Sequence, residues 1–389
     1  MRFLGPAGAE FGGMMFATPS SSIEPEPRRG TSMRHLGAAP RTGDGDVAMT
    51  ARLVDVAQLA GVSRATASRV IAGTPRNVAP ELVERVERAA RELGYRTNQS
   101  ARALRTGTTG TLGVVVPSLA NPYFVQLIEA LSRRVRADGG VLVVSDAANS
   151  PEIEAREIDT LVNGKVDGLI VVPVTAAASG AAIKAAAEIR PIVQFDRWAA
   201  GAGTVAVTMD NHAAIGMLID HLQSLGRERI ALVAAEQSSS SGAERAQAFG
   251  DRLGAAGRSI VLPAITTDAG RKAGQRVLEL RGGVNVVDSV DAADAVDAVV
   301  CAADVLAIGL VTTLNRAGVA VPGEVAVTAF DDTAILEVLD PPLTSIRHPL
   351  DAMADRAVAL LHGDVDERAE RVERFAPELV VRASSGAGR

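Results

Sequence analysis

The sequence predicts an α/β protein in two parts. An N-terminal helix-turn-helix headpiece comes first, then a core of two lobes, each a doubly wound parallel sheet. Three observations carry this prediction. Asp55–Ile71 holds two short helical runs around a glycine corner. From Thr111 onward apolar strands alternate with amphipathic helices, the pattern of parallel strands joined by right-handed crossovers. The alternation starts a second set after a helix over Ala213–Leu225, which makes two lobes.

Residues 1–50 are rich in Gly, Pro, Ser and Ala and show no sustained periodicity. Such a composition buries too little apolar surface to offset the entropy of ordering, so this N-terminal extension is expected to be disordered. Met49, just before Thr50-Ala-Arg-Leu-Val-Asp, is the expected natural start, with Met33 as the alternative.

Residues 51–107 form the expected headpiece and hinge. Val56, Ala57, Leu59 and Ala60 give the first run an apolar face. Gly61 can adopt the positive φ of a sharp corner, and the Ser63 hydroxyl is placed to cap the second run. That run turns Ala67, Val70 and Ile71 inward and Arg64, Ala65, Ser68 and Arg69 toward solvent. An ordinary helical hairpin would look similar. In a helix-turn-helix the second helix enters the DNA major groove. A third helix begins at Pro80, a favoured first helical position. Leu82, Val83, Val86, Ala89, Ala90 and Leu93 follow at helical spacing, and Gly94 ends the helix.

Residues 108–389 form the two-lobed part. Expected strands are Leu112–Val116, Gly140–Ser145, Val166–Val172, Pro191–Phe195 and Val205–Val207, with helices Pro122–Ala137, Pro151–Asn163 and Ala181–Ile189 between them. The second set has strands Ile230–Val233, Ile260–Leu262, Ala298–Cys301 and Val325–Ala329. A cleft between such lobes lies at strand carboxyl ends, where α/β sheets bind ligands.

Composition narrows the function. Apolar residues make up 47% but aromatics only 3%, so the cores must be built from Ala, Val, Leu and Ile. The lone Cys301 allows no internal disulfide, which fits a reducing cytoplasm. The five histidines have no metal-ligand spacing. No apolar run spans a membrane: Leu169–Ala187 is broken by Pro173, Ser179, Gly180 and Lys184. Residues 51–107 hold ten arginines against five acids, a net of +5. Residues 1–50 hold five of each sign, so with an overall charge of −6 the rest carries −11. A basic headpiece on an acidic body suits a phosphate-bearing partner held at one end. Gly201-Ala-Gly-Thr-Val-Ala fits a loose dinucleotide fingerprint, but a strand follows it where a helix should open. No catalytic constellation, cofactor loop or metal site is found. Asp331-Asp332 reads best as a cleft lip where one carboxylate accepts hydrogen bonds from a polar ligand.

Asp55-Val-Ala-x-x-Ala-Gly-Val-Ser, followed by Thr66-x-Ser-Arg-Val and Asn98-Gln-Ser-Ala-Arg-Ala-Leu, closely resembles the headpiece of the lactose-repressor (LacI/GalR) family of bacterial transcription regulators. Leu112-Gly-Val-Val-Val-Pro, Asn121-Pro-Tyr-Phe, Val166-Asp-Gly-Leu-Ile, Phe330-Asp-Asp and Leu343-Thr-Ser-Ile extend the resemblance to that family's periplasmic-binding-protein-like core. It implies DNA contacts from Ser63, Arg64, Ala65, Thr66, Ser68, Arg69 and Asn77, and from a hinge containing Asn98 and Ala101. Leu104 of that hinge would wedge into the minor groove, bending the duplex. For the effector pocket it implies Phe124, Asp196, Arg197, Asp210, Arg245, Asp304 and Asp331, a set suited to a sugar-like ligand. It also implies three crossings between lobes, with a helix over Leu350–Leu361 returning to the first lobe and a strand over Pro377–Arg382 in the second.

The chain departs from the family pattern in places. Arg52 replaces the usual helix-capping Thr, Thr97 replaces the Pro before the hinge, Ala248 replaces a Gly and Ala303 an Asn. No leucine heptads follow Arg382, so a tetramer-forming tail is not expected. The resulting expectation is a cytoplasmic, nucleoid-associated homodimer of repressor type. It would bind double-stranded operator DNA as an inverted repeat, respond to a small sugar-like effector, and be neither an enzyme nor membrane-bound. A solute-binding receptor is the alternative, and it leaves residues 52–107 unexplained.

Overall fold

The computed structural model describes residues 51–71, 78–95, 108–164, 166–236, 239–281, 295–363 and 370–386. These form two compact units, 51–95 and 108–386. The N-terminal extension, Asn77 and the hinge residues Asn98, Ala101 and Leu104 lie outside the described residues.

The small unit is three helices, α1 (Leu53–Ala60), α2 (Arg64–Ile71) and α3 (Pro80–Glu92). They close over a core of Val56, Ala57, Ala60, Ala67, Val70, Val86 and Ala89. Two residues expected inside are not: Leu59 is 48% exposed and Leu93 36%. With helices this short and core residues this small, each helix buries only a narrow arc. Leu59 and Leu93 fall outside it.

The large unit holds two six-stranded sheets. The first comprises β1 (Thr111–Val116), β2 (Val141–Asp146), β3 (Gly168–Val171), β4 (Ile192–Phe195), β5 (Val205–Met209) and β11 (Arg371–Phe375). Their spatial order is β11-β5-β4-β3-β1-β2, parallel throughout. Helices α4 (Pro122–Ala137), α5 (Pro151–Asn163), α6 (Ser179–Ala187) and α11 (Leu350–His362) cover it.

The second sheet comprises β6 (Ile230–Ala235), β7 (Arg258–Leu262), β8 (Ala298–Cys301), β9 (Ala326–Asp331), β10 (Thr344–Arg347) and β12 (Glu378–Val380). It repeats the first sheet's order as β12-β10-β9-β8-β6-β7, with only β12 antiparallel. Its helices are α7 (Asn211–Ser224), α8 (Ser240–Leu253), α9 (Thr267–Leu280) and α10 (Asp304–Arg316). The chain passes between lobes three times, at Asp210, at His348-Pro349 and at Ala376-Pro377. As expected, α11 returns to the first lobe and β12 joins the second. Strands β10 and β11 were not expected. β11 reads Arg-Val-Glu-Arg-Phe, a charged edge strand without an apolar run.

The cores are Val- and Ala-rich, and their largest fully buried side chains include Phe195, Phe249 and Phe330. Small residues let helices approach closely. A Cβ at Gly270 of α9 would strike the Leu306 carbonyl, and one at Gly309 of α10 would strike the carbonyl of Thr267. At Gly274 it would come within 2.7 Å of the Thr313 Cβ. Helices α9 and α10 therefore pack backbone against backbone. Gly309→Ala, which must force the pair apart, should destabilise the second lobe by roughly 1–3 kcal/mol. A lowered urea midpoint with an unchanged slope is the expected result.

Candidate functional site

In the small unit the site is the outer face of α2. Gly61 adopts φ +62° and lets the chain reverse after α1, with Val62 N–H donating to the Ala57 carbonyl at 3.0 Å. The Arg85 guanidinium on α3 donates to the Ala60 carbonyl at 2.6 Å, supplying a partner for a terminal carbonyl that has none within the helix. A Cβ on Gly61 would lie 2.6 Å from that guanidinium and displace it, and the positive φ itself favours glycine. The Ser63 Oγ accepts from the Thr66 amide at 3.1 Å and lies 2.9 Å from the Thr66 hydroxyl, capping α2. Arg64, Ala65 and Arg69 are exposed, and Thr66 and Ser68 half-buried. At the start of α1 the Arg52 amide donates to the Asp55 carboxylate at 2.8 Å, which holds that carboxyl below its ordinary range. Asp55 thus ties down the helix start that lacks a capping Thr.

In the large unit the site is the cleft between the lobes. Its main cavity has a volume of about 550 Å³ and is lined by Asn121, Phe124, Asn149, Thr175, Arg197, Glu236, Ser239 and Thr266, among others. A small inner chamber beside it adds Tyr123, Asp196, Ser241, Arg245 and Asp331. These residues follow β1, β2, β3 and β4 of one lobe and β6, β7 and β9 of the other, around the β1/β3 and β6/β8 switch points where strand order reverses.

Local structure places each group. The Asn121 Oδ1 caps α4 by accepting from Tyr123 N at 3.1 Å, which sets Tyr123 and Phe124 in its first turn. Asp196 sits at φ +63° just past β4 and accepts from the Tyr123 hydroxyl at 2.7 Å. The buried Nε of Arg197 has no hydrogen-bond partner among the described residues, and its guanidinium lies 5.3 Å from the Phe124 ring centroid. Arg245 donates through Nε to Asn211 at 2.8 Å and through Nη1 to the Ala302 carbonyl at 2.7 Å. Its guanidinium stacks 3.6 Å over Phe330. Asp331 lies 3.3 Å from the Nε2 of His348, whose Nδ1 is 3.2 Å from the Tyr123 hydroxyl. A buried polar line Asp196–Tyr123–His348–Asp331 thus runs under the cleft from lobe to lobe. Burial and the Asp196 and Asp331 carboxylates push the Tyr123 phenol well up, so it remains a donor.

Of the seven expected pocket residues, Phe124, Asp196, Arg197, Arg245 and Asp331 converge. Two do not line the cavity. The Asp210 carboxylate caps α7, accepting from Ala213 N at 2.9 Å. The Asp304 carboxylate accepts from the Thr333 amide at 2.7 Å and its hydroxyl at 2.6 Å, behind the wall. Asp332 is likewise spent, paired with Arg347 at 2.7 Å and Arg382 at 2.6 Å. That leaves Asp331 as the carboxylate of the pair facing the cleft. Tyr123, His348, Asn211, Ser239 and Ser241 were missed as site residues. Tyr123 stood inside a matched string, whereas His348 lies two residues past one. Gly201-Ala-Gly lies in the loop before β5, so a strand does follow it. No helix among the described residues is long and apolar enough to cross a membrane.

Comparison with known proteins bears on both sites. Residues 52–98 match the model of bacterial regulatory proteins, lacI family, and residues 219–385 match a periplasmic binding protein-like domain. The chain is 30% identical over 347 residues to the HTH-type transcriptional regulator MalR of Streptomyces coelicolor, covering 87% of this chain and 97% of that one. The lac repressor dimer bound to operator and the anti-inducer ONPF is similar in fold (TM-score 0.70, 24% identity, 86% of this chain and 99% of that one). A complex of the transcriptional regulator CelR with cellobiose superposes with a TM-score of 0.57 at 26% identity, over the same shares.

Burial and the nearby Asp331 carboxylate hold the Asp304 carboxyl well above its usual range. The folded chain therefore keeps this proton more tightly than the unfolded chain. The group's contribution to stability is greatest at low pH and falls as pH rises past the ordinary carboxylate range, about 4. Asp304→Asn mimics the protonated form and should flatten this fall, gaining stability relative to wild type as pH rises above about 4. Urea melts across that range that show no relative gain would contradict it.

Proposed function

The chain belongs to the lacI family of bacterial regulatory proteins as a helix-turn-helix transcriptional regulator, and from that membership we propose that it acts as a repressor under the control of a small, hydroxyl-rich effector. The observation that carries the reading is the face of α2. It buries Ala67 and Val70 and turns Arg64 and Ala65 outward at the amino end of a capped helix. That end lies nearest base edges when a recognition helix enters the major groove. Ser63, Thr66, Ser68 and Arg69 then contact DNA around it. Asn77, Asn98, Ala101 and Leu104 keep the roles expected for them, the last as a minor-groove wedge.

The effector site is the interlobe cleft. Arg245, Arg197 and Asp331 supply charged partners, Ser239, Ser241 and Asn121 supply neutral ones, and Phe124 supplies an apolar face. Charges of both signs around a polar cavity favour a neutral polyol over a strong anion. A sugar fits this chemistry, as the complex of CelR with cellobiose illustrates for a relative.

The working form is a homodimer in the cytoplasm. β2 and β7 each form one edge of their sheets, opposite β11 and β12. They expose Val141, Val143, Val144 and Val261, at 51%, 39%, 38% and 55%. Unpaired edges with apolar side chains call for a cover, and a second copy provides one. The operator is accordingly an inverted repeat with half-sites about one helical turn apart.

Equilibrium binding of the full chain to DNA tests the repressor reading. A solute-binding receptor would show no sequence-selective binding. Arg64→Ala should relax preference at one base pair per half-site, since a bidentate Arg–guanine contact is worth roughly 1–3 kcal/mol of discrimination. Binding-site selection that returns the wild-type motif would reduce Arg64 to a phosphate contact. Asp at both Val141 and Val144 should yield monomers in sedimentation and weaken operator binding. Arg245→Ala should remove the thermal shift given by whichever saccharide stabilises the wild type.

A further inference from the structure

Beside the cleft, one carboxylate gathers groups from both lobes. Glu244, on α8 of the second lobe, is 9% exposed. Its Oε1 accepts from the Arg374 guanidinium at 2.9 Å and from the Trp198 indole at 3.3 Å, both belonging to the first lobe. Its Oε2 accepts from the Asn211 amide at 2.8 Å, and the Asn211 oxygen in turn accepts from the Nε of Arg245. One turn earlier on α8, the Ser240 hydroxyl accepts from the Trp198 backbone amide at 2.8 Å. None of these groups belongs to the buried line through Tyr123 and His348.

We propose that Glu244 is the latch of the cleft and the residue that positions Arg245, joining the lobes through Trp198 and Arg374 and orienting the effector arginine through Asn211. The role of Arg245 rests on the reading of the cleft as the effector site. Two features make one carboxylate suited to the work. It is an acceptor only, so three donors can converge on it without repulsion. The Glu244 side chain itself is 11% exposed, so taking away a donor leaves a costly carboxylate. A ligand pulling on Arg245 therefore shifts Asn211, and with it the bond that keeps the lobes together. Opening the lobes withdraws Trp198 and Arg374 and frees Asn211 to release Arg245.

Trp198 is the only tryptophan in the chain, so its emission reports this contact alone. The test uses the full-length protein without DNA or ligand, with acrylamide as quencher. Glu244→Gln turns an acceptor into a donor facing donors. It should red-shift the emission and raise the quenching constant about twofold or more, as local opening exposes the indole. Asp251→Asn, exposed on the same helix, should match wild type. Arg374→Gln removes a partner at the surface and keeps the test valid should Glu244→Gln fail to fold. It should move the emission the same way by less. Arg245→Lys, which loses the Nε bond to Asn211, should also raise quenching. Wild-type quenching in folded Glu244→Gln or Arg374→Gln overturns the latch. Wild-type quenching in Arg245→Lys overturns the positioning of the arginine. Neither result depends on operator binding, which is measured separately and tests the repressor reading by itself.

Discussion

Three crossings of one or two residues hold the two sheets with their strand carboxyl ends facing, and the cleft exists because of them. They run as neighbours. β5 and β11 lie side by side before two of them, and the Asp210 amide donates to the Phe375 carbonyl at 2.9 Å. β10 and β12 pair on the other side, flanking the same ends. Short connections between rigid sheets restrict relative motion to a hinge. Polar groups set on or against the hinge are thereby fixed in register from both sides. His348 is the plainest case: it sits on a crossing, is 4% exposed, and has a phenol from one lobe and a carboxylate from the other within reach.

The same constraint sorts the many acidic residues of the body. Asp332 and Asp304 are consumed in bracing the loop after β9, by Arg347, Arg382 and Thr333. Asp210 is consumed at a helix start. Asp196 and Asp331 sit at positive φ at the ends of their strands, and their carboxylates meet Tyr123 and His348. Asp332 shares that conformation, at φ +53°, so the partners already claimed, not the backbone, separate bracing carboxylates from those facing the cleft, although all of them look alike as letters.

Much of the fold could be read from the residues. The headpiece corner was legible because its chemistry is local: Gly61 reverses the chain and Ser63 caps the next helix. The core strands were legible as apolar runs, and the second lobe as a repeat of the first. Strands β10 and β11 were not, since an edge strand such as Arg-Val-Glu-Arg-Phe carries no apolar run. Leu59 and Leu93 were misplaced because spacing gives a direction around the helix, not the width of the buried arc. At the cleft, five of the seven residues expected from motif strings come together in the structure. Asp304 and Asp210 do not line the cavity, because a string shows where a residue stands but not which groups have claimed it. Glu244, Trp198 and Asn211 left no trace in sequence. Their contacts join residues from 33 to 130 positions apart, and only the folded lobes bring them together.

The glycine contact between α9 and α10 carries a consequence for how such a chain can diverge. Gly270 meets the backbone at Leu306, and Gly309 meets it at Thr267 and Arg271, so each helix occupies the space in which the other might gain a side chain. Neither position can change alone without parting the pair, and a joint change must pass through an intermediate that packs badly. The loops after β1, β4 and β6 are under no such mutual lock and carry most of the groups facing the cleft. Ligand preference can therefore drift through single steps while the helix pair beneath stays frozen. New specificities arise on an unaltered chassis.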